Sequence, residues 1–234
     1  MNIFSITGST IAEIQSDLIN VITKFGKITQ DSYDMYGRLV VTIPPGCELE
    51  THPNSRNFNL DYSNAFFEYI LSGDDMDKHR TKLSKLSNGV ADKFLVEFEG
   101  RNTQYGPRIA KMLPLVVDEL KQNPESRRAF MPIIAMDDLQ LLQPKRDGET
   151  TIEFPCTASI GFKIVDGRLN SMVTMRSSCA VIVFNYDSRN FALLTKKVAE
   201  MVGVEPGETK MMMGSCHVYF KYMPLVKAIL SEGF

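Results

Sequence analysis

"TIEFPCTASIGFKIVDGRLNSMVTMRSSCAVIVF" (151–184) is the stretch that decides the fold. Two runs of alternating small and apolar residues flank Asp166-Gly167, and Asp-Gly favours a tight type I′ turn, so the reading is a β-hairpin. With a two-residue turn Val165 pairs with Arg168, and counting back along an unbroken ladder sets Cys156 opposite Ser177. The Arg176 guanidinium is then a neighbour of the thiol. A bulge would shift that register, and bulges are common beside active sites. Cysteine attacks as the thiolate, which nearby positive charge favours. Arg176 also closes the apolar run "LNSMVTM" inside a predicted sheet, where an unpaired charge is costly and a bound anion would offset the cost. The other cysteines lack such a neighbour. Cys47 follows a turn, and Cys179 and Cys216 sit in apolar strand patterns, so packing explains them.

Working outward, "SRNFALLTKKVAEMVG" (188–203) reads as an amphipathic helix with a glycine stop, and "TKMMMGSCHVYFKYM" (209–223) as a last strand entering a C-terminal helix. In that strand His217 and Tyr219 share a face, a pair suited to a sugar hydroxyl. Upstream, "TIAEIQSDLINVITKFG" (10–26) is an amphipathic helix with a Thr10–Glu13 capping box and a Gly26 stop. "GRLVVTIPPG" (37–46) is a short strand, "NAFFEYILSG" (64–73) a buried helix, "DDMDKHRTKLSKLSNG" (74–89) a solvated one, and "IAKMLPLVVDELKQNP" (109–124) a further helix. Just beyond, "NPESRRAF" (123–130) sets Arg127 beside Arg128. Such a pair is either a solvated surface feature or a phosphate site, for which the guanidinium fork is suited.

The 234 residues are 44% hydrophobic and 23% charged with a net charge of −2, so no general basic field awaits nucleic acid. An anionic ligand must be met by a local cluster. The four cysteines show no CxxC pair and no metal-ligand spacing, so no metal is expected. No signal peptide and no membrane span of roughly 20 apolar residues is visible, and a reduced, cytoplasmic protein is expected. One α/β (α+β) domain over 1–234, with a large mixed sheet flanked by helices, is the simplest organisation.

Taken together, the motifs resemble the thymidylate synthase and deoxycytidylate hydroxymethylase superfamily. "NPESRRAF" resembles its Ser-Arg-Arg segment, "PCTASIGFKIVDGRLNSMVTMRSS" its nucleophile strand, hairpin and Arg-Ser phosphate site, "GVEPGE" its Gly-x-x-Pro-Gly-Glu turn, and "GSCHVYF" its His-x-Tyr strand. The intervals fit as well: 20 from Cys156 to Arg176, 11 to Asp187 and 30 to His217. The resemblance implies a thymidylate-synthase-like sheet-to-sheet homodimer and a pyrimidine deoxynucleotide monophosphate as ligand. Cys156 would add to C6 of the base, and 5,10-methylenetetrahydrofolate would be the co-substrate. Arg176, Ser177 and the partner's Arg127 and Arg128 would hold the 5′-phosphate, with Arg38 a candidate for a further phosphate arginine. His217 and Tyr219 would hold the deoxyribose, and Tyr105, in "NTQYGPR", resembles an active-site tyrosine.

At the base-reading position thymidylate synthases carry asparagine. Here it is Asp187, as in the phage hydroxymethylases. A carboxylate only accepts hydrogen bonds. It suits the cytosine 4-amino group and an N3 that gains a proton as the adduct forms, and it repels uracil O4. Leaving a buried acceptor unpaired costs about 1–3 kcal/mol. Thr157, where thymidylate synthases usually have histidine, points the same way.

Two positions depart from the pattern. Phe66 stands where the family has its catalytic glutamate, leaving Glu68, Glu97 or Glu99 as candidate substitutes. Cys179 replaces the aspartate that anchors the folate ring, and the chain has no tryptophan. Three readings stay open. The first is a dCMP 5-hydroxymethylase, which the resemblance connects with phage DNA modification in a host cytoplasm. The second is a thymidylate-synthase-type C5 methyltransferase on dUMP or dCMP. The third is a nucleotide-binding paralogue with lost or altered folate chemistry.

Overall fold

The computed structural model describes residues 3–49, 58–74, 76–87, 97–98, 101–102, 105–142 and 154–231. In chain order the elements begin with β1 (Phe4–Thr7), α1 (Ile11–Phe25), β2 (Lys27–Ile28) and β3 (Ser32–Ile43). They continue with α2 (Leu60–Ser72), α3 (Met76–Leu86), β4 (Glu97–Phe98), β5 (Arg101–Asn102) and α4 (Tyr105–Gln122). Then come β6 (Phe130–Pro132), β7 (Thr157–Val165), β8 (Arg168–Cys179), α5 (Phe184–Val202), β9 (Glu205–Tyr219) and α6 (Met223–Ser231). The main sheet has the order β1-β3-β9-β8-β7-β6, with β2 paired to β3, and it is mixed. β8 and β9 run parallel through the α5 crossover, while β7–β8 and β3–β9 are antiparallel. None of the described helices is long and apolar enough to cross a membrane.

The hairpin forms around Asp166 (φ 50°) and Gly167 (φ 75°), the two left-handed positions that a type I′ turn requires. Val165 pairs with Arg168 and the unbroken ladder reaches Ser159–Thr174. There the register slips, and Thr157 pairs with Met175. The expected pairing of Cys156 with Ser177 is therefore corrected by one residue. The bulge at Ala158 puts Cys156 against Arg176, whose backbone N–H donates to the Cys156 carbonyl at 2.8 Å.

One sheet face is buried. α1 brings Ile11, Ile14, Leu18 and Ile22, and α5 brings Phe184, Phe191, Leu194 and Val198, all essentially inaccessible. They belong to one core with Val41, Val173, Met211 and Met213 from the sheet. Each such side chain is worth about 1.5–3 kcal/mol relative to exposure. The other face keeps Phe130, Met172 and Met212 exposed. Phe130 pairs with Gly161, Gly161 with Met172, and Thr174 with Met212, so these residues form neighbouring rows.

Several boundaries differ from the sequence reading. β8 stops at Cys179 instead of running on through "AVIVF", because Ala180 donates its N–H to His217 O at 2.9 Å and the chain turns. α5 accordingly begins at Phe184, four residues ahead of the expected start, with that buried ring as its anchor. This earlier start places Asp187 in the first turn of α5. β9 also begins early and takes in Pro206-Gly207, where the β8–β9 register shifts and Asn170 Oδ1 accepts the Glu208 N–H at 2.8 Å.

Candidate active site

Because β8 and β9 are parallel, their C-terminal ends lie together, as ligand sites do in parallel sheets. Ser177 pairs with Ser215 and Cys179 with His217, so Arg176, Ser177, His217 and Tyr219 occupy one end of the sheet. Gly214 makes this close approach possible: a Cβ there would lie 2.9 Å from Arg176 O. The bulge adds Cys156 from the start of β7. Arg176 donates from Nε to Pro155 O at 2.9 Å and from Nη2 to Phe154 O at 2.6 Å. The same Nη2 stands 3.8 Å from Cys156 Sγ, and the guanidinium lies over the Phe154 ring. The Phe154–Pro155 carbonyls thus hold Arg176 beside a half-buried, free thiol. Arg176 Nη1 makes no hydrogen bond among the described residues.

His217 and Tyr219 share a face as expected, with ring centroids 4.5 Å apart in an edge-to-face pair. Burial holds the His217 imidazole below its ordinary value; Asp34 and Asp31 oppose that and Arg176 adds to it. The ring is therefore neutral at pH 7, with one donor and one acceptor nitrogen. Asp34 was missed in the sequence. It pairs with His217 across β3–β9 and accepts the Ser215 hydroxyl at 2.8 Å. The sign was present: "SYDMYGRLVV" alternates far enough to be one strand, and the strand starts at Ser32, not at Gly37.

Asp187 faces α2. Helix α2 is pinned to the start of α5 by Asn59 N–H to Tyr186 Oη (2.8 Å), Arg189 Nη1 to Ser63 Oγ (2.9 Å) and Arg189 Nη2 to Asn64 Oδ1 (2.9 Å). Tyr62 packs edge-on to Tyr186 (5.2 Å) and stacks with Phe66 (6.0 Å), while Phe58 stacks on Tyr186 (4.8 Å). Although a helix N-terminus favours a carboxylate, burial prevails here and pushes Asp187 up to about 7. The Tyr62 phenol is raised as well, first by burial and then by Tyr186 and Asp187.

The remaining candidates stand elsewhere. Glu68 is exposed and ion-paired to Lys82 of α3 at 2.8 Å, about 200° around α2 from Phe66, so the structure does not bring it to the aromatic face. Arg38 follows the Gly37 bulge of β3 and covers the Phe4 ring, four residues along the strand from Asp34. Arg127 and Arg128 are exposed on the loop after α4, and Arg128 forks onto Glu119. Tyr105 opens α4 and Glu97 lies in β4, but their side chains, like all of Glu99, lie outside the described residues. Gly106 is a packing requirement, since a Cβ there would come within 2.9 Å of Tyr69 O. Cys179 is buried at the turn into α5, its thiol raised by burial and met by the N–H groups of Ile182 and Val181. It caps the turn.

A family model described as "Thymidylate synthase" matches residues 89–233. The thymidylate synthase of Francisella philomiragia subsp. philomiragia is 30% identical over 122 residues, covering 50% of this chain and 44% of that protein. The thymidylate synthase of Varicella-zoster virus (strain Dumas) is 27% identical over 140 residues, covering 60% of this chain and 44% of the viral protein. The chain thus spans under half the length of these curated relatives.

Proposed function

This chain belongs to the thymidylate synthase family, and from that premise we propose that it is a one-carbon transferase acting at C5 of a pyrimidine deoxynucleotide, with dCMP as substrate and 5-hydroxymethyl-dCMP as product. The observation that carries the reading is the Cys156–Arg176 juxtaposition, a thiol 3.8 Å from a guanidinium at the end of a parallel strand pair.

In this reading the Cys156 thiolate forms a bond to C6, and the C5=C6 electron pair moves into the ring toward N3. Asp187, opposite that edge, accepts hydrogen bonds from the 4-amino group and from the N3–H that forms when N3 takes up a proton from solvent. Covalent addition of this kind replaces one hard substitution with easier steps. Arg176 and Ser177 take the 5′-phosphate, and His217 with Tyr219 takes the deoxyribose hydroxyl. Methylenetetrahydrofolate would supply the one-carbon unit. Toward that molecule the chain's residues divide: the Tyr62, Phe66 and Tyr186 rings offer a wall for a flat ring system, while Cys179 offers no carboxylate.

The uncovered sheet face suits a second copy of the chain, with Phe130, Met172 and Met212 as its apolar centre, and Arg127 and Arg128 then reach the partner's phosphate. Phe66 and Cys179 favour a second reading, a nucleotide-binding paralogue in which folate chemistry is lost or altered. The relatives' name keeps a C5 methyltransferase on dUMP as the alternative within the enzyme class.

Tritium release from 5-tritiated dCMP and dUMP, with and without methylenetetrahydrofolate, together with product mass, separates these. Folate-dependent release from dCMP with a hydroxymethyl product supports the proposal. A methyl product favours the alternative, and no release from either base removes both enzymatic readings.

A further inference from the structure

Gln15 lies on the buried face of α1, among Ile11, Ile14 and Leu18, and is wholly inaccessible. An amide is costly to bury unless it is hydrogen-bonded. Gln15 Nε2 donates to Ala180 O at 2.9 Å and to Val181 O at 3.2 Å, and Gln15 Oε1 accepts from Asn185 Nδ2 at 2.9 Å. These partners are buried as well. The Gln15 amide fits only one way round. Turned over, its Oε1 would face two carbonyl oxygens and its NH2 group would face that of Asn185. Asn185 Oδ1 finds no partner among the described residues, so the contact with Gln15 is what orients that side chain.

These bonds fall on the turn between β8 and α5. The same turn is tied to β9, because Ala180 donates its N–H to His217 O at 2.9 Å. α5 then starts from Val183, which gives no side-chain cap, and the Asp187 N–H closes the first turn onto Val183 O at 3.0 Å. Phe184 anchors this start by apolar burial, which is non-directional. Direction comes from the Gln15 hydrogen bonds, at the turn and, through Asn185, within the first turn of the helix.

We infer that Gln15 is a positioning residue for base recognition: it sets the turn at 180–183 and the first turn of α5, and so places Asp187 relative to His217. α1 itself carries none of the proposed ligand contacts. The inference rests on the reading of Asp187 given above. The Cys156–Arg176 pair is mounted on β7 and β8 and does not depend on these bonds.

The test combines titration calorimetry of the full chain at pH 8, with dCMP, dUMP and deoxycytidine, and amide hydrogen exchange at 183–188. Gln15→Met keeps the length of the side chain and removes these bonds. It is expected to speed exchange in the first turn of α5 about tenfold or more, and to cut the preference for dCMP over dUMP about fivefold or more. The preference for dCMP over deoxycytidine, set at the phosphate, is expected to stay within about twofold of the wild type. Asn185→Ala leaves both carbonyl bonds in place and carries the test if Gln15→Met does not fold. It is expected to cut the base preference about twofold or more, and the double variant to be no worse than Gln15→Met alone. Unchanged exchange in the variant that folds overturns the inference. Faster exchange with an unchanged base preference overturns it too, since a role in stability alone gives that result. So does an equal fall in both preferences. A wild type that binds dCMP and dUMP alike breaks the Asp187 reading itself, a result seen before any variant is made, and the inference falls with it.

Discussion

At the ends of β7, β8 and β9, Cys156, Arg176, Ser177, His217 and Tyr219 are gathered from distant parts of the chain; on α2 and the first turn of α5, Tyr62, Phe66 and Tyr186 form an aromatic cluster. The first region is built from backbone register. The Ala158 bulge, the Gly214 approach and the parallel β8–β9 pair leave Arg176, Ser177, His217 and Tyr219 little choice of position. The second is built from side-chain packing, with Tyr62, Phe66 and Tyr186 against one another and Glu68 turned to Lys82. A site made by register keeps its geometry when neighbouring side chains change. One made by packing can exchange an acid for a ring and keep its fold. That difference would suit the proposed reading, in which the first region meets the nucleotide and the second the folate.

The largest expected effect tests the register-built side. Cys156→Ser should abolish tritium release from any pyrimidine nucleotide while leaving the melting temperature near that of the wild type. Residual release with serine at this position would move the nucleophile elsewhere.

On the packed side, Gly106→Ala puts a Cβ 2.8 Å from the Tyr69 ring and 2.9 Å from its carbonyl oxygen. A loss of about 1–3 kcal/mol in denaturant unfolding is expected. An unchanged midpoint would mean that α2 and α4 yield more easily than their contacts suggest.

A third prediction joins the two sides. Burial raises Asp187 to about 7, so the folded state holds its proton over a range where the unfolded chain has released it. With more protons bound to the folded form, this residue's contribution to stability falls as pH rises from about 4 to 7, on the order of 4 kcal/mol. Asp187→Asn should flatten that slope. Base choice should follow the same titration. Below pH 7 the neutral acid can donate to uracil O4, and above it the carboxylate can only accept, so preference for dCMP over dUMP should rise with pH. A preference constant from pH 6 to 8 would break the link between Asp187 and base reading.

The smallest effect concerns Glu68. An exposed pair with Lys82 contributes about 0–1 kcal/mol, so Glu68→Gln should cost little stability and change turnover less than about twofold. A large fall in turnover would return Glu68 to the catalytic list.

Much of the sheet end was legible because hairpin turns and strand alternation are local signals. Asp166-Gly167 announced the turn, and the period-two pattern put His217 and Tyr219 on one face. The bulge was not legible, since nothing in "CTAS" marks Ala158 as the extra residue, and it moved Cys156 from Ser177 to Arg176. Asp34 was hidden by a strand start set too late, and the α5 start by a buried ring that acts as its anchor without a side-chain cap. The Gln15–Asn185 contact was invisible for another reason. Nothing in two amides 170 residues apart distinguishes a buried contact from two solvated groups.

The most direct test of the account is the ratio of initial tritium-release rates from 5-tritiated dCMP and dUMP, measured at pH 8 for the wild type and for Asp187→Asn. The account predicts that the wild type favours dCMP and that the variant shifts toward dUMP by about tenfold or more. The same ratio in both proteins would contradict it.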